Sequence, residues 1–192
     1  METTEWCENV ILVDADYVDS VAFDLTVNFE RMLNRPIAKA DLAHWLVCVA
    51  LDGGLRTGQH EVKVVLVHSK EKKAFDNFVP SRFHEDLDGK AFKDVHLGEF
   101  LVSAIKAENM VSWEDLFVQS LEVLSDAKEI KRLIVVPNME HYAHKVRPIL
   151  SKVDGKEITL LAMEPQMGSG FKQEILGYSL MSALGISGDE IK

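Results

Sequence analysis

The sequence predicts an α/β fold: a three-layer α/β/α arrangement around a mainly parallel sheet. Three features of the chain point there. Short apolar runs recur, unbroken at residues 10–13, 64–67 and 133–136 within the candidate strands 10–13, 62–67 and 132–136, as strands buried on both faces require. Segments with helical spacing of apolar residues separate them. Strands that alternate with helices build parallel sheets covered by helices on both sides. A chain of 192 residues, 47% of them hydrophobic, suits a single domain spanning 1–192. Its core is expected at about residues 9–164, with a terminal helix at about 171–185.

Residues 10–13 form the first strand. Val18, Val21, Ala22, Leu25, Phe29, Met32 and Leu33 then mark one helix face, with a start near Asp19 or Ser20. Pro36 opens the next helical segment, Leu42, Trp45, Leu46 and Val49 continue it, and Gly53-Gly54 ends it. Residues 62–67 are the second strand. Residues 69–95 hold mixed charges, Pro80 and Asp88-Gly89, with no sustained period. They read as a long irregular excursion, either a functional loop or a surface insertion.

Residues 98–108 fit a helix or a strand, and Gly98 with the apolar run 100–102 favours the strand. Residues 112–124 are a helix. Ser112 caps its first turn, and Asp115 lies three residues on, as in a capping box. Residues 132–136 are a strand. A helix follows with Met139, Tyr142, Ala143 and Val146 on one face, kinked or ended by Pro148. Asp154-Gly155 makes a turn and residues 157–163 a strand. A loop with Pro165, Gly168 and Gly170 leads into a final helix, 171–184, stopped by Gly185.

The formal net charge is −10, and residues 1–30 carry eight Asp or Glu with no Lys or Arg. Such a face disfavours a nucleic-acid duplex, whose phosphates gain from basic side chains. The acidic opening segment lacks a secretory pattern, and no segment reaches the length of a membrane span. Cys7 and Cys48 have neither metal-ligand spacing nor the density of a disulfide framework. They read as reduced thiols, Cys48 buried, in a cytoplasmic protein.

In parallel sheets, ligands sit beyond the carboxyl ends of the strands. Asp14 and Asp16 lie at the end of the first strand, and Glu140 follows the end of another. Paired carboxylates there suit a divalent metal. They equally suit the cap of the following helix. Asp115 as a capping-box acid and Glu140 beside a helix N-terminus carry the same ambiguity. Lys70, Lys72 and Lys73, with Arg82 and Lys93, are interleaved with acids and read as a solvated charged loop. His141 and His144 lack the spacing of a metal pair.

The element order and the stretches "VILVDADYV", "SWEDLFVQSLEVL", "LIVVPNMEHYAHKV" and "KEITLLAM" resemble the NYN domains of the PIN-like nuclease superfamily. The resemblance covers roughly residues 9–164. It implies converging acids that hold magnesium or manganese and activate water to cleave RNA. On this chain it nominates Asp14, Asp16, Asp115 and Glu140 as catalytic, with Asp14, Glu114 and Asp115 as metal ligands. Tyr17 stands where that family has an asparagine, and Met139 and His141 stand where it has aspartates. The expectation is therefore an eroded site with weak or absent nuclease activity.

Two alternatives stay open. The same fold can serve as a non-enzymatic domain for a protein partner or a homodimer. Asp14-Ala15-Asp16 also resembles the first motif of the haloacid-dehalogenase phosphatases. That resemblance implies Asp14 as nucleophile, Asp16 as general acid and Ser69 in the second motif, with a lysine from Lys128, Lys131 or Lys145. Only Glu164 is present for its final acidic motif.

Overall fold

Seven strands run side by side, and six of them point the same way. The structure, a computed structural model, describes residues 6–191. Residues 1–5 of the acidic opening segment, and residue 192, lie outside the described residues. The elements in chain order begin with β1 (Asn9–Asp14), α1 (Ala15–Leu33), β2 (Ala40–Asp41), α2 (Leu42–Asp52) and β3 (His60–His68). Then come β4 (Phe78–Val79), β5 (Ala91–Asp94), β6 (Gly98–Lys106), α3 (Trp113–Asp126) and β7 (Arg132–Val136). The chain ends with α4 (Met139–Lys152), β8 (Glu157–Ala162), β9 (Lys172–Ile175), α5 (Leu176–Ala183) and a short 3-10 turn (Gly188–Ile191). The main sheet has the order β5-β6-β3-β1-β7-β8-β9, with only β5 antiparallel to its neighbour.

β1 explains why the continuous apolar run is a strand. Ile11 and Val13 pack into the core beneath α1, α2 and α5, while Val10 and Leu12 pack into the core beneath α3 and α4. Alternate residues point to opposite faces, and both faces are covered. The result is three layers, α/β/α, as the chain predicts. Residues 98–106 are the strand that Gly98 favoured. Gly98 has φ +105, and a Cβ there would meet the His60 carbonyl oxygen at 2.2 Å, so the β3–β6 approach excludes a side chain.

Several expected boundaries move. α1 starts at Ala15, before Asp19 and Ser20, because Asp14 itself is the cap. α2 starts at Leu42, beyond Pro36, where Asp41 accepts from the His44 amide. Residues 69–95 are not structureless. They contain β4, which pairs with β2, and β5, which pairs with β6. Phe75, Phe78 and Phe83 from this stretch form a buried aromatic cluster, and Phe78 meets Trp45 of α2. The final helix loses its first part to β9, which pairs with β8. Cys48 is partly exposed, at the surface between α2 and α5. α4 runs through Pro148 to Lys152, and its non-helical residue is Tyr142. Among the described residues, no helix is long and apolar enough to cross a membrane.

Candidate functional site

The five central parallel strands run β6-β3-β1-β7-β8 across the sheet. Chain order reverses direction between β1 and β7, and that switch point is where open α/β sheets place a ligand crevice. Asp14 ends β1, and the turn after β7 carries Asn138 and the start of α4. The expected site residues therefore gather on the correct end of the sheet, but their side chains are already engaged.

Asp14 is fully buried. Its Oδ1 accepts from the Tyr17 amide at 3.1 Å, the cap of α1. Its Oδ2 accepts from the Tyr142 hydroxyl at 2.5 Å. Tyr142 is also buried, and its oxygen accepts from the Asn138 amide at 3.1 Å. The break in α4 at Tyr142 thus coincides with the residue that reaches across the switch point. Burial pushes the Asp14 carboxyl from about 3.8 up to about 6, against the lowering effect of the Tyr142 and Tyr17 hydrogen bonds. Asp16 and Glu114 add repulsion in the same upward direction. The Tyr142 hydroxyl is driven far above its ordinary value by burial and by Asp14. It stays a neutral donor throughout the working pH range.

Asp16 turns the other way. Its Oδ1 accepts from the Ser69 amide at 2.9 Å and its Oδ2 from the Ser69 hydroxyl at 2.6 Å. This ties α1 to the end of β3. Asp19, one turn on, is buried and accepts from the Asp76 and Asn77 amides, each at 2.9 Å. Lys72 Nζ lies 2.8 Å from its Oδ2. Three aspartates, the cap of α1 and two in its first two turns, therefore hold three different stretches of chain.

The remaining candidates divide. Glu114 lies close enough for its charge to act on Asp14 and Tyr142, and its carboxylate is 3.7 Å from His141 Nδ1. Asp115 instead pairs with Lys145 at 3.1 Å, which holds its carboxyl below the usual range. Its amide donates to Ser112, so it is the third residue of a capped helix. Glu140 sits in the first turn of α4 beside Tyr17. Burial first, and Glu140 second, raise the Tyr17 hydroxyl. Met139 is buried in the α3–α4 core and His141 is exposed at the rim.

A divalent metal needs several oxygens converging at about 2.0–2.6 Å. Every oxygen of Asp14 and Asp16 already accepts a hydrogen bond. Among the described residues, no three His, Cys, Asp or Glu side chains are placed to hold a metal ion. Asp14 has no exposed surface, and Lys145, one of the three lysines nominated with it, is paired with Asp115.

Two residues central to this arrangement, Tyr142 and Asp19, are absent from the set the sequence nominates. For Asp19 a signal exists: it lies four residues after Ala15 and three before Ala22, within the buried stripe of α1. A carboxylate on an apolar stripe must find partners.

The fold and the hydrogen-bonded switch point define a three-layer α/β protein. Residues 3–191 match the family of unknown function DUF6621, and the chain belongs to that family. No curated protein and no solved structure matches it.

Proposed function

We propose that this protein is a non-catalytic interaction domain. In this reading its architecture is akin to the NYN and wider PIN-like nucleases, and its opening aspartate has become a structural post. The observation that carries the reading is the pair of hydrogen bonds on Asp14, from Tyr17 N–H and Tyr142 O–H. They occupy the position where the nuclease resemblance needs an open carboxylate. The strand order, with β1 central and β7 beside it, is compatible with that ancestry. Free thiols at Cys7 and Cys48 accord with a reducing, cytoplasmic setting.

The test is metal titration with two readouts. Mn²⁺ or Mg²⁺ is added to the full chain, followed by thermal unfolding and by cleavage of a labelled single-stranded RNA. A metal bound only by the native state raises the melting temperature. The expected result is no such rise and no RNA loss beyond that seen with Asp14→Asn. Mn²⁺-dependent RNA cleavage that Asp14→Asn abolishes overturns the reading in favour of an active nuclease.

A further inference from the structure

β9 is the last strand of the main sheet and pairs only with β8. Lys172, Gln173 and Glu174 are exposed, and Phe171 and Ile175 partly so. The loop that reaches β9 from β8 lies on the α4 face. There Arg147 Nη2 donates to Gln166 Oε1 at 3.0 Å, and Gln173 Nε2 donates to the Gln166 carbonyl at 2.7 Å. α5 leaves on the other face, where Leu176 and Leu180 join the core beneath α1 and α2. Among the described residues, the outward N–H and C=O groups of β9 have no backbone partner.

In an antiparallel pair, opposite residues either exchange both hydrogen bonds or point both pairs of groups away. An edge strand that pairs with a second copy of itself therefore has its two-fold axis at a residue, not between two. On β9 that axis can fall on Lys172, Gln173 or Glu174. At Lys172 it sets two lysines face to face, and at Glu174 two glutamates, both unfavourable. At Gln173 it sets Lys172 opposite Glu174 of the second copy, and Glu174 opposite Lys172. One step further out, Phe171 comes opposite Ile175. The segment is thus complementary to itself, as a two-fold interface requires.

Neither charge is used within the chain. Lys172 and Glu174 make no ion pair among the described residues. Asp52, at the end of α2, has its carboxyl raised to about 6, first by burial and then by Glu174. Lys172 of the second copy would set a cation beside Glu174 and offset that repulsion. Charge on a short edge strand can also keep other chains away. A single sign does so in every register, whereas opposite signs about Gln173 disfavour the neighbouring registers and favour one. The other edge, β5, lacks this pattern. An axis on Phe92 puts Ala91 opposite Lys93, and an axis on Lys93 sets two lysines together.

We propose that the β9 edge is a homodimer interface, in which β9 of two copies pairs antiparallel about Gln173 and joins the two sheets into one. This deepens the interaction-domain reading by naming a second copy of the chain as the partner. Its test reads oligomeric state, which neither metal binding nor RNA cleavage reports, so the two failures are distinguishable.

Sedimentation equilibrium of the full chain over low to high micromolar concentrations measures the association. The same measurement is made on Lys172→Glu, on Glu174→Lys, on an equimolar mixture of the two and on the chain carrying both exchanges, with the fold of each checked by its unfolding transition. The expected result is a wild-type dimer that weakens by about 10-fold or more in each single variant, where like charges meet. The mixture recovers the dimer, because each chain then faces the opposite sign, and so does the chain with both exchanges. Lys93→Glu, at the other edge, leaves it unchanged. A wild type monomeric throughout, a dimer that the folded single variants do not weaken, or single variants that fail to associate when mixed overturns the inference.

Discussion

The Tyr142 hydroxyl donates to Asp14 Oδ2 at 2.5 Å, joining residues 128 positions apart across the junction of β1 and β7. Neither group reaches solvent appreciably. The bond therefore links β1 to α4 at the switch point, where open α/β sheets place a ligand crevice.

Removing that hydroxyl leaves a buried carboxylate with one partner fewer. Tyr142→Phe is expected to cost about 1–3 kcal/mol at pH 7.5, the range for a buried polar group left unsatisfied. The cost depends on pH, because the bond stabilises the ionised form of Asp14, which dominates above about 6. At pH 5 the carboxyl is mostly protonated and the loss shrinks. Urea unfolding at the two pH values measures the difference. An equal loss at both would show that Tyr142 acts by packing alone.

Asp14 itself gives a pH signature. Its native value of about 6 lies above its unfolded value near 3.8. A raised carboxyl favours the protonated native state. Its contribution to stability is complete below about 3.8 and is lost as pH rises through about 6. Subtracting the melting curve of Asp14→Asn from that of the wild type, across pH 4–8, is expected to give a difference that favours the wild type most at the acid end. Asp52, also raised to about 6 by burial and by Glu174, titrates in the same window and cancels in that subtraction. A flat difference curve contradicts the burial of Asp14.

Long central strands are legible in the chain because cover on both faces leaves unbroken apolar runs, as at residues 10–13 and 64–67. β9 is not: Lys172, Gln173 and Glu174 are exposed, so its strand character comes from pairing with β8. β5 is illegible for a related reason, as an edge strand with Ala91 and Lys93 exposed. The placement of Asp14 at the carboxyl end of β1 follows from local pattern. Its partner does not, because Tyr142 meets Asp14 only once β7 lies beside β1. Asp115 is ambiguous for a similar reason: the spacing in residues 112–115 supports both a cap and a ligand, and its partner Lys145 comes from α4, remote in sequence.

Asp19 holds the excursion after β3 to α1. Its carboxylate receives two backbone amides and Lys72 in a buried setting. Asp19→Ala leaves those donors without their acceptor and is expected to destabilise by about 3 kcal/mol, as for a broken buried ion pair. The damage is local first. Hydrogen exchange of the Asp76 and Asn77 amides is expected to accelerate well before that of β1. Uniform acceleration across the sheet would mean that the excursion and the core unfold as one unit.

Met139 discriminates between an eroded ligand position and a core position. It is buried among the α3–α4 residues, in the same core cluster as Phe117 and Tyr142. Met139→Asp therefore places a carboxylate in apolar surroundings and is expected to cost about 2–4 kcal/mol. Met139→Leu conserves volume and is expected to cost less than about 1.5 kcal/mol. If the side chain instead faced an open crevice with Asp14, Met139→Asp would be tolerated and would add a ligand oxygen beside it. Urea unfolding of both variants, with and without Mn²⁺, separates the cases. A marked loss in Met139→Asp that Mn²⁺ does not restore places this residue in the core, whereas near-native stability with a Mn²⁺-dependent rise places it at a metal site.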